Sequence, residues 1–281
     1  MIHNHDALRA RSYDLYGGML GFSEWCGLRY IQSSAEDTRM ALPWSERVAD
    51  AEGVIGPGML ATMVDTIGGQ VAIAGFDWQV QIATISLGLN LIAPLPPGQG
   101  VTGEGRTVAA RDGTVLADIR LFSDGPAPVL VATGWLRMIA VAQIEPPAAP
   151  GHHPAHPVLA HGPFFGPDAA ALHLEDGRAV ARIGPKPHFM GNEMRGALHG
   201  GFVAATLFET AAALGRAASP AFAPLDGVVD FLLSARAAEM VVNAELTRAG
   251  GRVGFAEAVM EQDSPAHGRR TVARLAMTLR R

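Results

Sequence analysis

Two long segments of this chain are apolar on every side, yet each carries an acid near its middle. Within residues 58–75 the only charged side chain is Asp65, and within residues 201–219 the charged side chains are Glu209 and Arg216. A helix without a polar face has to be surrounded by other elements. A strongly curved antiparallel sheet rolled around a central helix meets this requirement, whereas a flat sheet would cover only one side.

The two apolar segments belong to an internal repeat. The stretch GPGMLATMVDTIGG at residues 56–69 matches GGFVAATLFETAAA at residues 200–213, and Asp65 matches Glu209 at an offset of 144. A hairpin-like stretch precedes each segment, and extended runs rich in Val, Ile, Thr and Leu follow each one, with Arg-Asp-Gly at residues 111–113 as a turn. We therefore expect one helix and about five strands in each half, which is an α+β fold.

The length of the chain allows two domains with large cores. With 281 residues, of which 48% are hydrophobic, it falls between one and two ordinary domains. Residues 143–163 are rich in Pro, Ala, Gly and His, which is typical of a linker. We predict an N-terminal domain over residues 1–142 and a C-terminal domain over residues 164–281.

Composition favours a small-molecule ligand. A net charge of -5 without a basic block argues against nucleic acid and anionic membrane surfaces, and no apolar run approaches the ~20 residues that cross a bilayer. The linker histidines are interleaved with prolines and lack the fixed geometry of metal ligands, as do His3 and His5, so we expect no metal. A single cysteine, Cys26, and an N-terminus without the apolar core of a secretory signal predict a cytoplasmic protein.

His-Gly-Gly at residues 199–201, followed by Ala-x-x-Leu-x-Glu, resembles a motif of the hotdog-fold thioesterases of the phenylacetic-acid-degradation (PaaI-like) type. Leu-Ala-Thr-Met-Val-Asp at residues 60–65 and the strand TISLGLNLIAP at residues 84–94 are similar to the same family. The resemblance implies two tandem hotdog folds, each a curved antiparallel sheet around a central helix, paired as a pseudo-dimer. It also implies hydrolysis of acyl-coenzyme A thioesters, with no cofactor beyond the coenzyme A of the substrate, and a homodimer that forms a pseudo-tetramer.

The resemblance further implies a composite site, because in that family the helix carboxylate acts beside the His-Gly segment of the partner subunit. Here the partner is the other half of the chain. Asp65 would be the general base or nucleophile, and the Gly200 N–H would stabilise the oxyanion. His199, Asn192 and Thr84 would orient the thioester and the water.

Five more residues are candidates for binding substrate. Gly58 and Gly201 lie at the starts of the two predicted helices, where a missing side chain lets a ligand approach the main chain. Arg195, with Arg216 and Arg236, is a candidate for neutralising the phosphates of coenzyme A.

The reciprocal site departs from the family pattern. Nine residues before Asp65 stands Gly56, whereas the offset of 144 puts Ile55 at the position of His199, so the histidine is missing in both registers. Glu209 stays a catalytic candidate but lies ten residues after His199, and one extra residue rotates a helix position by about 100°. We therefore expect one competent site per chain.

Two functions from other classes also fit parts of the sequence. PKPHFMGNEMRGALHGG at residues 185–201 resembles the His-Phe-Pro-Gly stretch of hotdog hydroxyacyl-carrier-protein dehydratases, although His188 lacks the following Pro-Gly. A noncatalytic acyl-coenzyme A binding protein is the other alternative. A dehydratase leaves the thioester intact and a binding protein shows no turnover, so an assay separates all three.

Overall fold

The computed structural model describes residues 5–16, 21–144, 171–175, 177–192 and 195–281. Its helices are α1 (His5–Tyr16), α2 (Gly21–Cys26), α3 (Pro57–Gly75) and α4 (Gly200–Ala218). The strands of the first half are β1 (Arg29–Gln32), β2 (Thr38–Leu42), β3 (Val80–Leu91), β4 (Val101–Arg111), β5 (Thr114–Ser123) and β6 (Leu130–Gln143). Those of the second half are β7 (Ala171–Glu175), β8 (Arg178–Ile183), β9 (Met190–Asn192), β10 (Ala197–Leu198), β11 (Ala223–Phe231), β12 (Met240–Ala249), β13 (Val253–Ser264) and β14 (Gly268–Arg280).

The large sheet is continuous across both halves. Its strand order is β1-β2-β4-β5-β6-β3-β11-β14-β13-β12-β8-β7. The strands of the second half therefore follow the same order as those of the first half, read from the centre of the sheet outward. They meet where β3 pairs antiparallel with β11, with Gly88 opposite Val228. Each set is wrapped around one long helix, α3 or α4. The α+β prediction is therefore confirmed, with six strands of this sheet in each half rather than about five.

The sheet curls closely around α3 because several strand positions facing the helix have no side chain. A Cβ at Gly103 would lie 2.4 Å from the Ile67 side chain, and one at Gly105 would lie 2.5 Å from it. The second half has the same close packing of a strand glycine against its helix, since a Cβ at Gly227 would lie 2.7 Å from the ring of Phe208. Close packing of the sheet on both helices buries their apolar surfaces on all sides.

The two central helices contact each other through their first turns. A Cβ at Gly58 would lie 2.8 Å from the carbonyl oxygen of Ala205, and one at Gly201 would lie 3.0 Å from the Cα of Thr62. The Thr62 hydroxyl lies 3.0 Å from the Gly201 carbonyl oxygen. This approach places the start of each helix beside the middle of the other, where the two acids lie.

Several local predictions are confirmed, and some elements were not predicted. The stretch at residues 111–113 forms a hairpin turn in which Asp112 and Gly113 both have positive φ, as a type I′ turn requires. Helices α1 and α2 and the short β9–β10 pair carry no strong sequence pattern. Strand β6 continues through Gln143, and residues 145–170 lie outside the described residues, so the linker and the domain boundaries stay predictions.

Within the described ranges, no helix has the length and apolar character needed to span a bilayer. The same ranges hold no group of three or more potential metal ligands. His3 and the linker histidines lie outside the described residues, whereas the ring nitrogen Nδ1 of His5 accepts a hydrogen bond from the Tyr30 amide.

Candidate active site between the two repeats

A cavity of about 360 Å³ opens between the two halves of the chain. Its walls come from α3, β3 and β6 of the first half, and from the β9–β10 segment, the start of α4 and the end of β11 of the second half. Helix α2 and strand β1 close part of it through Ser23 and Tyr30. Asp65 and the His199–Gly200 segment face the same cavity, although they come from different repeats.

Asp65 accepts a hydrogen bond through one carboxylate oxygen and lies close to His199 through the other. The Thr84 hydroxyl donates a hydrogen bond of 2.8 Å to Oδ1. Oδ2 lies 3.4 Å from Nδ1 of His199. The residue is only 5% exposed, and a buried carboxylate requires a hydrogen-bond donor such as the Thr84 hydroxyl. Because α3 carries Asp65 toward the first turn of α4, the acid of one repeat reaches the main chain of the other.

His199 caps α4 and at the same time faces Asp65. Its Nδ1 accepts a hydrogen bond of 3.0 Å from the Gly201 N–H, which satisfies one of the free amides at the helix start. A neutral ring that accepts at Nδ1 carries its proton on Nε2. Nε2 lies 2.9 Å from the Ser23 hydroxyl oxygen, so the ring donates to Ser23. The two hydrogen bonds fix both the orientation and the tautomer of the imidazole.

Burial shifts the pKa values of this pair in opposite directions. It raises the pKa of the Asp65 carboxyl above its ordinary value, and His199 is the strongest of the groups that oppose this shift. Burial lowers the pKa of the His199 imidazole, and the Asp65 charge opposes that shift. His199 is therefore neutral at physiological pH. A carboxyl group with a raised pKa is suited to accept a proton near neutral pH.

Gly200 lies directly against the acid. A Cβ at this position would lie 2.6 Å from Oδ1 of Asp65, so only glycine fits without displacing the carboxylate. Gly200 is the first residue of α4, and its N–H has no partner within the helix because of that position. A main-chain N–H at a helix start, beside a carboxylate and facing a cavity, is suited to stabilise an oxyanion.

Asn192 and Arg195 lie on the second-repeat wall of the cavity. The side-chain oxygen of Asn192, which is 7% exposed, accepts a hydrogen bond from the Arg195 N–H at 3.1 Å. The Arg195 carbonyl in turn accepts from the Arg236 guanidinium. Asn192 therefore fixes the main chain at Arg195, which lines the cavity.

The reciprocal position has a different arrangement. The N-caps of α3 and α4 are Gly56 and His199, so the structure aligns these two residues. The Gly58 N–H donates a hydrogen bond of 2.8 Å to Oε1 of Glu209. The extra residue before Glu209 thus does not turn it away from α3, because its longer side chain reaches the start of that helix. Burial raises its pKa, and the Gly58 N–H and Arg216 oppose the shift.

The structure brings together six of the eleven residues predicted for the site. Those that line the cavity are Asp65, Thr84, Asn192, Arg195, His199 and Gly200. The other five are not among the residues that line it: Gly58, Gly201, Glu209, Arg216 and Arg236. The Gly201 amide is bonded to His199, and the Gly58 amide to Glu209, so neither N–H points to a substrate. His188, on which the dehydratase resemblance depended, stacks on Trp25 and does not line the cavity.

Sequence reasoning missed several polar residues of the cavity. Ser23, Tyr30 and Gln70 line it, and all three are buried. Ser23 and Tyr30 come from α2 and β1, which have no sequence relation to the motif at His199. Gln70 carried a signal that was overlooked, since it is the one side-chain amide in the apolar segment of α3.

Comparisons with known proteins agree with this architecture. Residues 191–280 match the family model described as "Acyl-CoA thioesterase N-terminal domain". The family match supports thioester hydrolysis by this chain, and the prediction of a thioester hydrolase is confirmed to that extent.

Solved structures share the fold over both halves. The tesB protein of Mycobacterium avium subs paratuberculosis aligns with a TM-score of 0.60 and 11% identity, covering 89% of this chain and 95% of that chain. A conserved protein with hot dog fold from Alicyclobacillus acidocaldarius gives a TM-score of 0.59 and 14% identity, covering 93% and 98%. Acyl-CoA thioesterase II TesB2 from Mycobacterium marinum aligns with a TM-score of 0.56 and 12% identity, covering 89% of this chain and 93% of that chain. At these identities they establish the hotdog fold, which was predicted. A sequence search of curated proteins found no match.

Proposed function

We propose that the chain hydrolyses acyl-coenzyme A thioesters at one composite site, formed by Asp65 of the first repeat and the start of α4 in the second. The observation that carries this proposal is that the Asp65 carboxylate and the Gly200 main chain face one cavity. Hydrolysis needs a base beside the attacking water and a donor beside the thioester oxygen, and these two residues supply them from opposite repeats.

In the proposed reaction Asp65 acts as the general base. It takes a proton from water, and the resulting hydroxide adds to the thioester carbonyl carbon. The Gly200 N–H stabilises the oxyanion that forms. When the carbon–sulfur bond breaks, the proton on Asp65 returns to the coenzyme A thiolate, which leaves a free acid and a free thiol. Thr84 holds Oδ1 of Asp65, so the other oxygen is directed toward the water and His199.

His199 supports this arrangement without being the base itself. Its Nδ1 already accepts from the Gly201 N–H, and its Nε2–H points to Ser23. It therefore fixes the first turn of α4 and leaves the proton-accepting task to Asp65. The Arg195 guanidinium, exposed at the wall of the cavity, is the proposed contact for the coenzyme A phosphates.

The finer assignments remain proposals. The PaaI-like type rests on the His-Gly-Gly motif and on the carboxylate that meets it across the repeat interface. A reaction without metal or other cofactor is supported by the ability of Asp65 and Gly200 to supply base and oxyanion donor. A cytoplasmic location and a homodimer of the double repeat are predictions from the cysteine usage and from the family resemblance.

The deciding experiment measures thiol release from short, long and aryl saturated acyl-coenzyme A substrates, and in parallel the conversion of 2-enoyl thioesters. Thiol release by the wild-type chain that is lost in Asp65→Asn supports the proposal. Hydration of the enoyl substrate with the thioester intact would establish the dehydratase class instead. Binding of the substrates without any conversion would establish the binding protein.

A further inference from the structure

Gly69 lies in the interior of α3, where neither the backbone nor the packing calls for a glycine. Its φ is not positive, so the backbone is one that any residue adopts in a helix. Among the described residues, a Cβ here would meet the side chain of Ile82 at 3.8 Å and that of Met138 at 3.9 Å, which is ordinary van der Waals contact. Because glycine weakens a helix relative to alanine, its presence at this position requires another reason.

Other interior glycines of the two central helices are explained by packing. A Cβ at Gly68 would lie 2.6 Å from the side chain of Leu136, and one at Gly215 would lie 2.9 Å from that of Leu279. Both of these leucines belong to strands of the large sheet, β6 and β14. Successive helix positions differ by about 100° in direction, so Gly69 faces away from the strand contact that Gly68 makes.

The open space in front of Gly69 belongs to the cavity between the repeats. Gly69 lines the cavity, and so do Ile82 and Met138, the two residues that its Cβ would approach. Asp65 lies four positions earlier on α3, and positions four apart share one face of a helix. The rise between them is about 6 Å. A side chain at position 69 would therefore enter the cavity one helical turn from the proposed base.

The surroundings of this space are apolar. Ile82 and Met138 contribute aliphatic atoms. Gln70 and Tyr30 also line the cavity, but Oε1 of Gln70 and the hydroxyl oxygen of Tyr30 are fully buried and do not reach it. The one lysine or arginine among the described residues that line the cavity is Arg195, on the wall formed by the second repeat. A charged group on the acyl chain would therefore lack a partner beside α3.

We propose that Gly69 determines which acyl groups the site accepts, and that the substrate carries an uncharged straight acyl chain of roughly six carbons or more, by the helix rise. This inference rests on the proposed thioesterase function and names the substrate class. With the thioester between Asp65 and Gly200, such a chain runs along α3 and passes over Gly69. An acetyl group ends before that point and leaves the apolar space unfilled.

The test measures kcat/KM by thiol release from acetyl-, hexanoyl- and octanoyl-coenzyme A. The wild-type chain is expected to prefer the two longer substrates. In Gly69→Ala the added methyl group occupies room that the chain needs, so kcat/KM for both should fall by about 10-fold, the effect of one methylene in an apolar pocket. The value for acetyl-coenzyme A should stay unchanged, and Gly69→Val should show a larger selective loss.

Stability provides an independent readout for the same variant. The Cβ of Gly69→Ala meets no close atom, and alanine restricts the unfolded chain more than glycine does. The melting temperature of Gly69→Ala should therefore equal or exceed that of the wild type. A glycine that served packing alone would give the opposite result.

Gly68→Ala is the matched control, because it adds the same methyl group at the neighbouring position of the same helix. Gly68 is not among the residues that line the cavity, and its Cβ would meet the Leu136 side chain. This variant should have a lower melting temperature and should keep the wild-type ratio of octanoyl to acetyl turnover.

The outcomes separate the two proposals. Absence of thiol release from every acyl-coenzyme A tested would overturn the thioesterase function. If the wild type prefers acetyl-coenzyme A, or if Gly69→Ala changes kcat/KM equally for all three substrates or for none, the role of Gly69 is wrong while the function stands. A loss of folding or of melting temperature in Gly69→Ala as large as that in Gly68→Ala would also overturn it. If Gly69→Val does not fold, Gly69→Ala decides.

Discussion

Oδ2 of Asp65 lies 3.4 Å from Nδ1 of His199, and the two side chains are only 6% and 10% exposed. Each residue comes from a different repeat, so neither half could form this contact by itself. Burial favours the uncharged form of both groups. The pair therefore places a carboxyl group with a raised pKa beside a neutral imidazole, and the acid is the member suited to take a proton from water.

Replacement of Asp65 by Asn tests the base directly. The amide keeps the shape and still accepts from the Thr84 hydroxyl, but it does not accept a proton from water. We expect kcat to fall by ~10²- to 10⁴-fold. Glu209→Gln is the control, because it makes the same change at the reciprocal position, outside the cavity. Wild-type activity in Asp65→Asn, or an equal loss in both variants, would rule out the single composite site.

The pH dependence of kcat follows from the raised pKa of Asp65. The base works only when ionised, so kcat should rise with pH through that pKa, and this limb should lie above the ordinary carboxyl value of 3.8. A kcat–pH profile of the wild-type chain is the measurement. The rise of kcat with pH should be absent from the residual activity of Asp65→Asn. A rise that persists in this variant would belong to another titrating group and would contradict the prediction.

Glu209 gives a related prediction for stability. Burial raises its folded-state pKa above the ordinary value of 4.5, so the folded protein holds its proton more tightly than the unfolded chain. Its contribution to the free energy of unfolding is therefore full below pH 4.5 and is lost as the pH rises through the raised pKa. Urea unfolding of the wild type and of Glu209→Gln at several pH values should show a difference that falls with rising pH. A constant difference would mean that the pKa is not raised.

The paired architecture could be predicted because it depends on local patterns. Segments that are apolar on all sides required a wrapped sheet, and the internal repeat required two of them. The resemblance of the His-Gly-Gly motif and the helix acid to the family also predicted that Asp65 and Gly200 lie close together. Each of these patterns can be recognised within a short stretch of sequence.

The remaining parts of the site depend on packing between distant segments. Ser23 reaches His199 because α2 packs against the segment that precedes α4, and no spacing rule connects them. The need for glycine at position 200 also depends on such packing. The sequence motif indicated only an N–H that could stabilise an oxyanion, whereas in the structure the missing side chain of Gly200 makes room for the Asp65 carboxylate.

Ser23 is expected to position His199. Ser23→Ala would leave the buried Nε2–H without its acceptor, which costs about 1–3 kcal/mol of stability, and would free the imidazole to change tautomer, which lowers kcat more than it changes KM. Ser33→Ala is the matched control, since Ser33 is also 2% exposed but its hydroxyl has no hydrogen-bond partner among the described residues. Thermal unfolding and steady-state kinetics of both variants are the measurements. Equal effects of the two substitutions would argue against a positioning role.

The cap that His199 provides can be separated from its contact with Ser23. His199→Ala removes the cap of α4 and should cost about 1 kcal/mol in unfolding free energy. His199→Asn keeps a side-chain acceptor at the N-cap but is too short to span to Ser23. We expect the Asn variant to recover the stability and not the activity. Recovery of both would show that the cap alone is what the reaction needs.

The glycines at the two helix starts should respond differently to an added methyl group. In Gly200→Ala the Cβ would lie 2.6 Å from Oδ1 of Asp65, a side-chain atom that can move aside. We therefore expect a large loss of kcat with a small change in melting temperature. In Gly58→Ala the Cβ would lie 2.8 Å from the carbonyl oxygen of Ala205, and backbone has to shift. This variant should lose stability by about 1–3 kcal/mol. Gly251→Ala, with no atom within 4 Å of its Cβ, is the control for both. If Gly200→Ala kept full activity, the Asp65 carboxylate would not need its observed position at the start of α4, and the proposed geometry of attack would be wrong.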